Sequence, residues 1–264
     1  MTSPSSTSPV STSSATENSS IASRLLALLP GGREISRRRR KRKLLAEAKS
    51  AAEVFTDHYA TNDWGDAESA SGPGSTLEYT ANIRRELPKL VQELGVKTIL
   101  DAPCGDYNWF RAINWESEIE YLGGDIVAPL IERNYIRHAG ENVNFRTLNI
   151  IEDPLPTADL WLCRDCLFHL SNADICRTLT NFLESGVTFL LTTTHHEATS
   201  NRDIVTGSFR LLNLERAPFF FPQPIHMMDD WIEGFPPRQL ALWSREQLAE
   251  ALRDTEWIRS AHAA

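Results

Sequence analysis

No apolar run in this chain approaches the roughly 20 residues that a membrane-spanning helix requires, so none is expected. Cysteine is scarce, with only Cys104, Cys163, Cys166 and Cys176 among 264 residues. Their spacing outlines no disulfide framework, and three fall in or near segments expected to be buried. That suits a reducing compartment and a cytoplasmic location. Cys163-x-x-Cys166 is half of a zinc ligand set with no matching second pair, so no metal is expected. A chain of this length buries enough surface to need neither disulfides nor metal. A G-x-G-x-x-G turn is also missing, which argues against a nicotinamide-dependent oxidoreductase.

Positive charge is scarce beyond the first residues. Residues 1–50 hold ten Lys/Arg and three Glu, a surplus of seven, so the overall −8 leaves −15 for residues 51–264. An acidic body is a poor match for nucleic acid, whose phosphates need a basic footprint. Residues 1–20 are Ser/Thr-rich with almost no large apolar side chains, a composition expected to be disordered. I-A-S-R-L-L-A-L-L at 21–29 ends at Pro30-Gly31-Gly32, and R-R-R-R-K-R-K fills 37–43. Three readings of this arm stand side by side. It is a solvated basic tail, a weak contact with an anionic membrane or other polyanion through 37–43, or an organelle transit peptide. A secretory signal is not expected, because the apolar stretch precedes the basic run and no small-residue cleavage site follows. The arm at 1–43 is taken as one unit, a helical cap with a loop at 44–94 as a second, and an α/β domain at 95–264 as the third.

What the chain does have is a series of apolar strands, each ending in polar residues. Residues 96–106 read V-K-T-I-L-D-A-P-C-G-D. The β-rich run ends at Asp101, a Pro/Gly turn follows, and Gly105 lets the backbone pass close to a ligand. Residues 107–113 are expected to open a helix. Strand, acid, glycine turn and helix in this order resemble the first motif of class I S-adenosylmethionine-dependent methyltransferases, in the D-A-P-C-G-D form of a bacterial branch. Gly105 stands alone where the usual motif has more glycines. The resemblance spans roughly residues 77–253 and rests on ordered spacing across five expected strands. It implies an α/β fold: a Rossmann-like sheet of seven strands, mostly parallel, with a C-terminal antiparallel hairpin and helices on both faces. It also implies S-adenosyl-L-methionine as cofactor, with Asp101 and Gly105 at the cofactor turn.

The second strand, at 119–126, ends at Asp125, 24 positions after Asp101. A carboxylate there accepts both hydrogen bonds of a ribose diol; the plainer alternative is a cap for a helix at 129–138. After a third strand at 142–147, the resemblance implies that Asn149 reads the adenine amino edge and Ile150 covers the ring. An ordinary turn ahead of Pro154 is the alternative. The fourth strand, 158–163, runs into R-D-C-L-F-H-L-S at 164–171. Ligands of open α/β sheets lie beyond the carboxyl ends of the strands. Asp165 and His169 are therefore the candidate catalytic pair, the histidine as base and the aspartate to orient it or hold the substrate. Alternatively, His169 packs beneath the helix that Ser171 caps. The fifth strand, V-T-F-L-L-T-T-T at 187–194, leads into His195, His196, Asn201, Arg202 and Asp203, candidates for holding the acceptor ahead of a divalent ion, or residues of a plain polar loop.

Residues 206–224 are too rich in aromatics and proline for a long helix, and Phe219, Phe220 and Phe221 either cover the sheet edge or wall a cleft. Segments 225–230 and 239–243 suit an antiparallel pair, with Ser244 capping a last helix at 245–253. Upstream, a helix is expected at 44–58 and a Gly/Ser/Asp-rich loop at 59–75. Trp64 favours order in that loop, and S-G-P-G-S at 71–75 reads as a lid over the cofactor or as surface loop. A helix at 77–94 carries Pro88 inside it, a potential kink. The expected function is methyl transfer to a hydroxyl of a sugar or small metabolite, with a small-molecule or glycan acceptor. A non-catalytic binding or scaffold protein on the same fold is the rival, since it would explain the glycine-poor turn and the basic arm.

Overall fold

Alternation along the strands sets the architecture, because successive side chains of a strand point to opposite faces. The computed structural model describes residues 49–115, 117–253 and 255. The arm readings at 1–43, and the first residues of the helix expected at 44–58, lie outside them. Seven strands form one sheet: β1 (Thr98–Asp101), β2 (Glu120–Asp125), β3 (Val143–Thr147), β4 (Leu160–Cys163), β5 (Phe189–Thr194), β6 (His226–Asp229) and β7 (Gln239–Ser244). Their order is β3-β2-β1-β4-β5-β7-β6. The first five run parallel, and β7 lies antiparallel to both β5 and β6. This is the expected Rossmann-like sheet, mostly parallel with an antiparallel C-terminal hairpin.

Parallel strands buried on both faces read as continuous apolar runs, and β4 (L-W-L-C) is buried at every position. Leu100, Trp161, Leu190 and Trp243 join one core, with Leu179 and Phe182 of helix α4 (Asn172–Glu184) and Leu248 of helix α5 (Arg245–Leu252). Ile99, Leu160, Leu162, Leu191 and Leu242 join the other, with Ile83, Leu87 and Leu90 of helix α2 (Ala81–Glu93) and Ile131 of helix α3 (Ala128–His138). Helix α2 runs through Pro88 to Glu93. The first helix, α1 (Ala51–Ala60), opens in a capping box: Glu53 N–H donates to Ser50 Oγ at 3.3 Å, and Ser50 N–H donates to Glu53 at 2.8 Å.

One expected element is corrected. Residues 107–113 hold only a 3₁₀ turn at Phe110–Ala112. Gly105 and Tyr107 both have positive φ, 56° and 61°, which keeps the chain out of the helical region at the point of departure. Tyr107, Trp109 and Phe110 are then all buried, Tyr107 and Phe110 among Tyr121 and Phe145. With only Arg111 and Ala112 exposed, the segment 107–113 has too little polar face for a surface helix.

Between β5 and β6 the chain runs without regular structure, yet Arg210, Leu212, Leu214 and Phe219 in it are buried. Phe219 and Phe221 pack into the core, while Phe220 is exposed.

Candidate active site

The carboxyl ends of β1, β2 and β4 surround a cavity of about 270 Å³. Both acidic strand ends reach it. Asp125 accepts from the Gly105 N–H at 3.1 Å and from the Val127 N–H at 3.0 Å. Burial pushes its carboxyl up to about 6, against those two donors. Asp101 accepts from the Tyr121 hydroxyl at 2.9 Å, and burial pushes it up to about 8. Leu148, Ile150, Val127 and Leu130 add apolar wall on the β2–β3 side. Asn149 lines the cavity within a turn: its N–H donates to Asp153, its amide to Glu152, and its side-chain oxygen accepts from Ile151.

On the β4 side the lining turns charged and aromatic. Arg164 forks onto Asp230 at 2.9 and 2.8 Å and donates to the Gly74 carbonyl at 2.6 Å. Arg238 Nη1 lies 2.8 Å from Asp165 Oδ1, and Nη2 donates to Oδ2 at 2.9 Å. Its Nε donates to the Asp230 carbonyl at 2.8 Å. Burial raises the Asp165 carboxyl, but Arg164 and Arg238 outweigh it and hold the group below the ordinary range. Asp165 therefore belongs to a quartet of two arginines and two aspartates. His169 Nδ1 lies 2.8 Å from the Ser208 carbonyl. A carbonyl only accepts, so Nδ1 carries a proton in this contact.

Residues 64–79 form a strap along the cavity, held by one acidic residue that sequence reasoning passed over. Asp106, directly after Gly105, accepts from Ser69 Oγ at 3.0 Å, Ala70 N–H at 2.8 Å and Ser71 Oγ at 3.3 Å, and its own N–H donates to Ser71 Oγ at 2.9 Å. Asn108 adds bonds to Glu68 and to the Ser75 carbonyl. The fit is close: a Cβ on Gly105 would lie 2.2 Å from Ser71 Oγ, and one on Gly74 would lie 2.6 Å from Asp165 Oδ2.

Of the residues singled out from sequence, Asp101, Gly105, Asp125, Asn149, Ile150, Asp165 and His169 line this one cavity. The group after β5 does not line it. His195 is buried, accepts from the Leu212 N–H at 3.2 Å, and is pushed down to about 4 by burial and by Arg238. His196 pairs with Glu215 at 2.9 Å near the surface. Asn201 donates to the carbonyls of Asn213 and Ala217, and Asp203 accepts from the Asn172 N–H at the start of α4. Arg202 donates to the Phe209 carbonyl. His195, Asn201 and Arg202 thus bond backbone groups of a long segment that has no ladder to satisfy them. Arg164, Arg238, Tyr79 and Phe209 line the cavity without having been singled out. Arg164, adjoining Asp165 in R-D-C-L-F-H, was the one with a local signal.

The sequence matches no protein-family model and no curated protein. Among solved structures it is similar to PigF with SAH, at 13% identity and a TM-score of 0.46, over 63% of this chain and 56% of that one. It is also similar to magnesium protoporphyrin IX methyltransferase (ChlM) from Synechocystis PCC 6803 with bound SAH, at 10% identity and a TM-score of 0.48, over 72% of this chain and 93% of that one. A third is the N-methyltransferase NodS from Bradyrhizobium japonicum WM9, at 12% identity and a TM-score of 0.42, over 61% and 94%.

Proposed function

We propose that the protein is a methyltransferase that uses S-adenosyl-L-methionine and methylates a hydroxyl of a small molecule. One observation carries the reading: a single cavity at the strand ends joins Asp101, Gly105 and Asp125 on one side to Asp165 and His169 on the other. The cofactor, when bound, supplies an electrophilic methyl group on a sulfonium. The residues fit such a group. Two buried carboxyls suit a ligand with cationic centres, Asp125 keeps oxygens for a ribose diol, and Ile150, Leu148 and Leu130 give an apolar wall for adenine. His169, fixed by the Ser208 carbonyl, takes the acceptor proton at Nε2. Asp165 holds Arg238 and thereby shapes the acceptor side. The strap, with Ser71 and Gly72–Ser75 on the cavity, acts as its cover and helps exclude water.

A non-catalytic binding protein is the second reading, favoured by the glycine-poor turn and the 3₁₀ turn that replaces the expected helix. The test is calorimetric titration with S-adenosylmethionine and, separately, NAD. Saturable binding of the first, abolished in Asp125→Ala, is expected. Binding of NAD alone overturns the reading, and cofactor binding with no methyl transfer to any acceptor moves it to the binding protein.

A further inference from the structure

We propose that helix α1 supplies an aromatic cover for the adenosine half of the cofactor, with Tyr59 as the positioning residue and Phe55 beside it. The proposal rests on the methyltransferase reading and adds residues from outside the α/β sheet to the same site.

The spacing of α1 divides its faces. Val54 and His58, four residues apart, are buried on one of them. His58 Nε2 lies 3.2 Å from the Gly207 carbonyl. Gly207 has a φ of 89°, and a Cβ there would come within 2.2 Å of Val54 Cγ1. This face is therefore fitted onto the segment after β5. Phe55 and Tyr59 each follow one position later, about 100° around the helix. Both line the cavity and both are partly exposed.

Two further contacts carry α1 to the ribose and adenine end. The Arg133 guanidinium of α3, the helix that follows Asp125, lies 5.6 Å from the centre of the Tyr59 ring. Phe55 packs against the core that holds Leu148, Ile150 and Ile151, the residues after β3. Trp64, just beyond α1, lines the cavity as well and meets the His58 ring edge-on at 5.7 Å. A Cβ on Gly72 would lie 2.8 Å from Trp64 Cβ, so the helix is tied to the strap on that side.

Chemistry narrows what such a cover is for. Val127, Leu130, Leu148 and Ile150 offer branched aliphatic surface to the cavity, and Phe55 and Tyr59 offer flat rings. A planar heteroaromatic base gains by stacking on such rings and loses little when its faces leave water. A ribose or an amino-acid group presents hydroxyls and charges that ring faces leave without hydrogen-bond partners.

The experiment titrates the full chain by calorimetry with S-adenosylhomocysteine and, separately, with adenosine. Tyr59→Ala is expected to weaken both by about tenfold and by the same factor, because both carry the adenine ring. Tyr59→Phe keeps the ring and is expected to bind both within about twofold of the unsubstituted chain. Tyr59→Leu keeps apolar volume without a flat face, so it is expected to fall with the alanine variant and replaces it should the smaller side chain loosen α1. Undiminished affinity in Tyr59→Leu overturns the proposal, whatever the alanine variant does. So does a loss confined to S-adenosylhomocysteine, which would put Tyr59 over the amino-acid half, and so does a Tyr59→Phe variant as weak as the alanine one. An unsubstituted chain that binds S-adenosylhomocysteine but not adenosine also overturns it, since stacking would then carry no affinity of its own. Failure of S-adenosylhomocysteine to bind the unsubstituted chain instead overturns the methyltransferase reading, and this proposal with it.

Discussion

Two buried acids dominate the chemistry of single residues here. In the unfolded chain Asp101 and Asp125 titrate as ordinary carboxyls near pH 4. In the fold, burial raises them to about 8 and about 6. Between those limits the folded state holds protons that the unfolded state has released, so stability falls as pH rises from about 4 to about 8. A loss of the order of 2–4 kcal/mol across that window is expected from chemical denaturation. Asp101→Asn should remove at least half of this slope; an unchanged slope would show that Asp101 is ionised throughout. His169 gives a second test. His169→Gln is expected to lower the turnover number by roughly 10²- to 10³-fold with cofactor affinity intact, checked by calorimetry beside a transfer assay. Both acids were legible in sequence because each ends an apolar run, and a strand end faces the ligand side of such sheets. The proton on His169 Nδ1 was not, since Ser208 lies 39 residues away.

At the scale of elements, strands were easier to read than what joins them. V-T-F-L-L-T-T-T announces β5, and Ser171 and Ser244 announce α4 and α5 as their caps. Each of these signals is local. The polar residues after β5 carry duties that no local spacing reveals: His195 and Asn201 bond irregular backbone, and Asp203 accepts from the Asn172 N–H at the start of α4. The strap follows a related logic. Its Ser and Gly residues read as a loose loop, yet they converge on Asp106 from some 35 residues away. Asp106→Ala is expected to cost about 2–3 kcal/mol through several lost charge-assisted bonds. Hydrogen exchange should localise the loosening to residues 68–76, with α2 protected as before. Uniform loss of protection would show that the strap is not a separate unit.

Across the whole molecule, the quartet of Arg164, Asp165, Asp230 and Arg238 joins the turn after β4 to the β6–β7 hairpin and, through the Gly74 carbonyl, to the strap. Its members lie up to 74 positions apart in sequence, so no spacing rule finds them. Asp230→Asn leaves the Arg164 guanidinium buried with one partner fewer, and a loss of about 3–5 kcal/mol is expected in denaturant unfolding. Replacing both members with apolar residues, Arg164→Met with Asp230→Leu, should recover part of it; no recovery would assign the loss to packing alone. The quartet's four charges cancel, which has a consequence for encounter in solution. On the proposed reading a cationic cofactor approaches a body carrying −15 over residues 51–264, and the neutral quartet adds no net charge to that attraction. In stopped-flow association, cofactor capture should slow severalfold as salt rises from about 0.05 to about 0.5 M; a rate that does not change with salt would show that diffusion to the cavity is unguided.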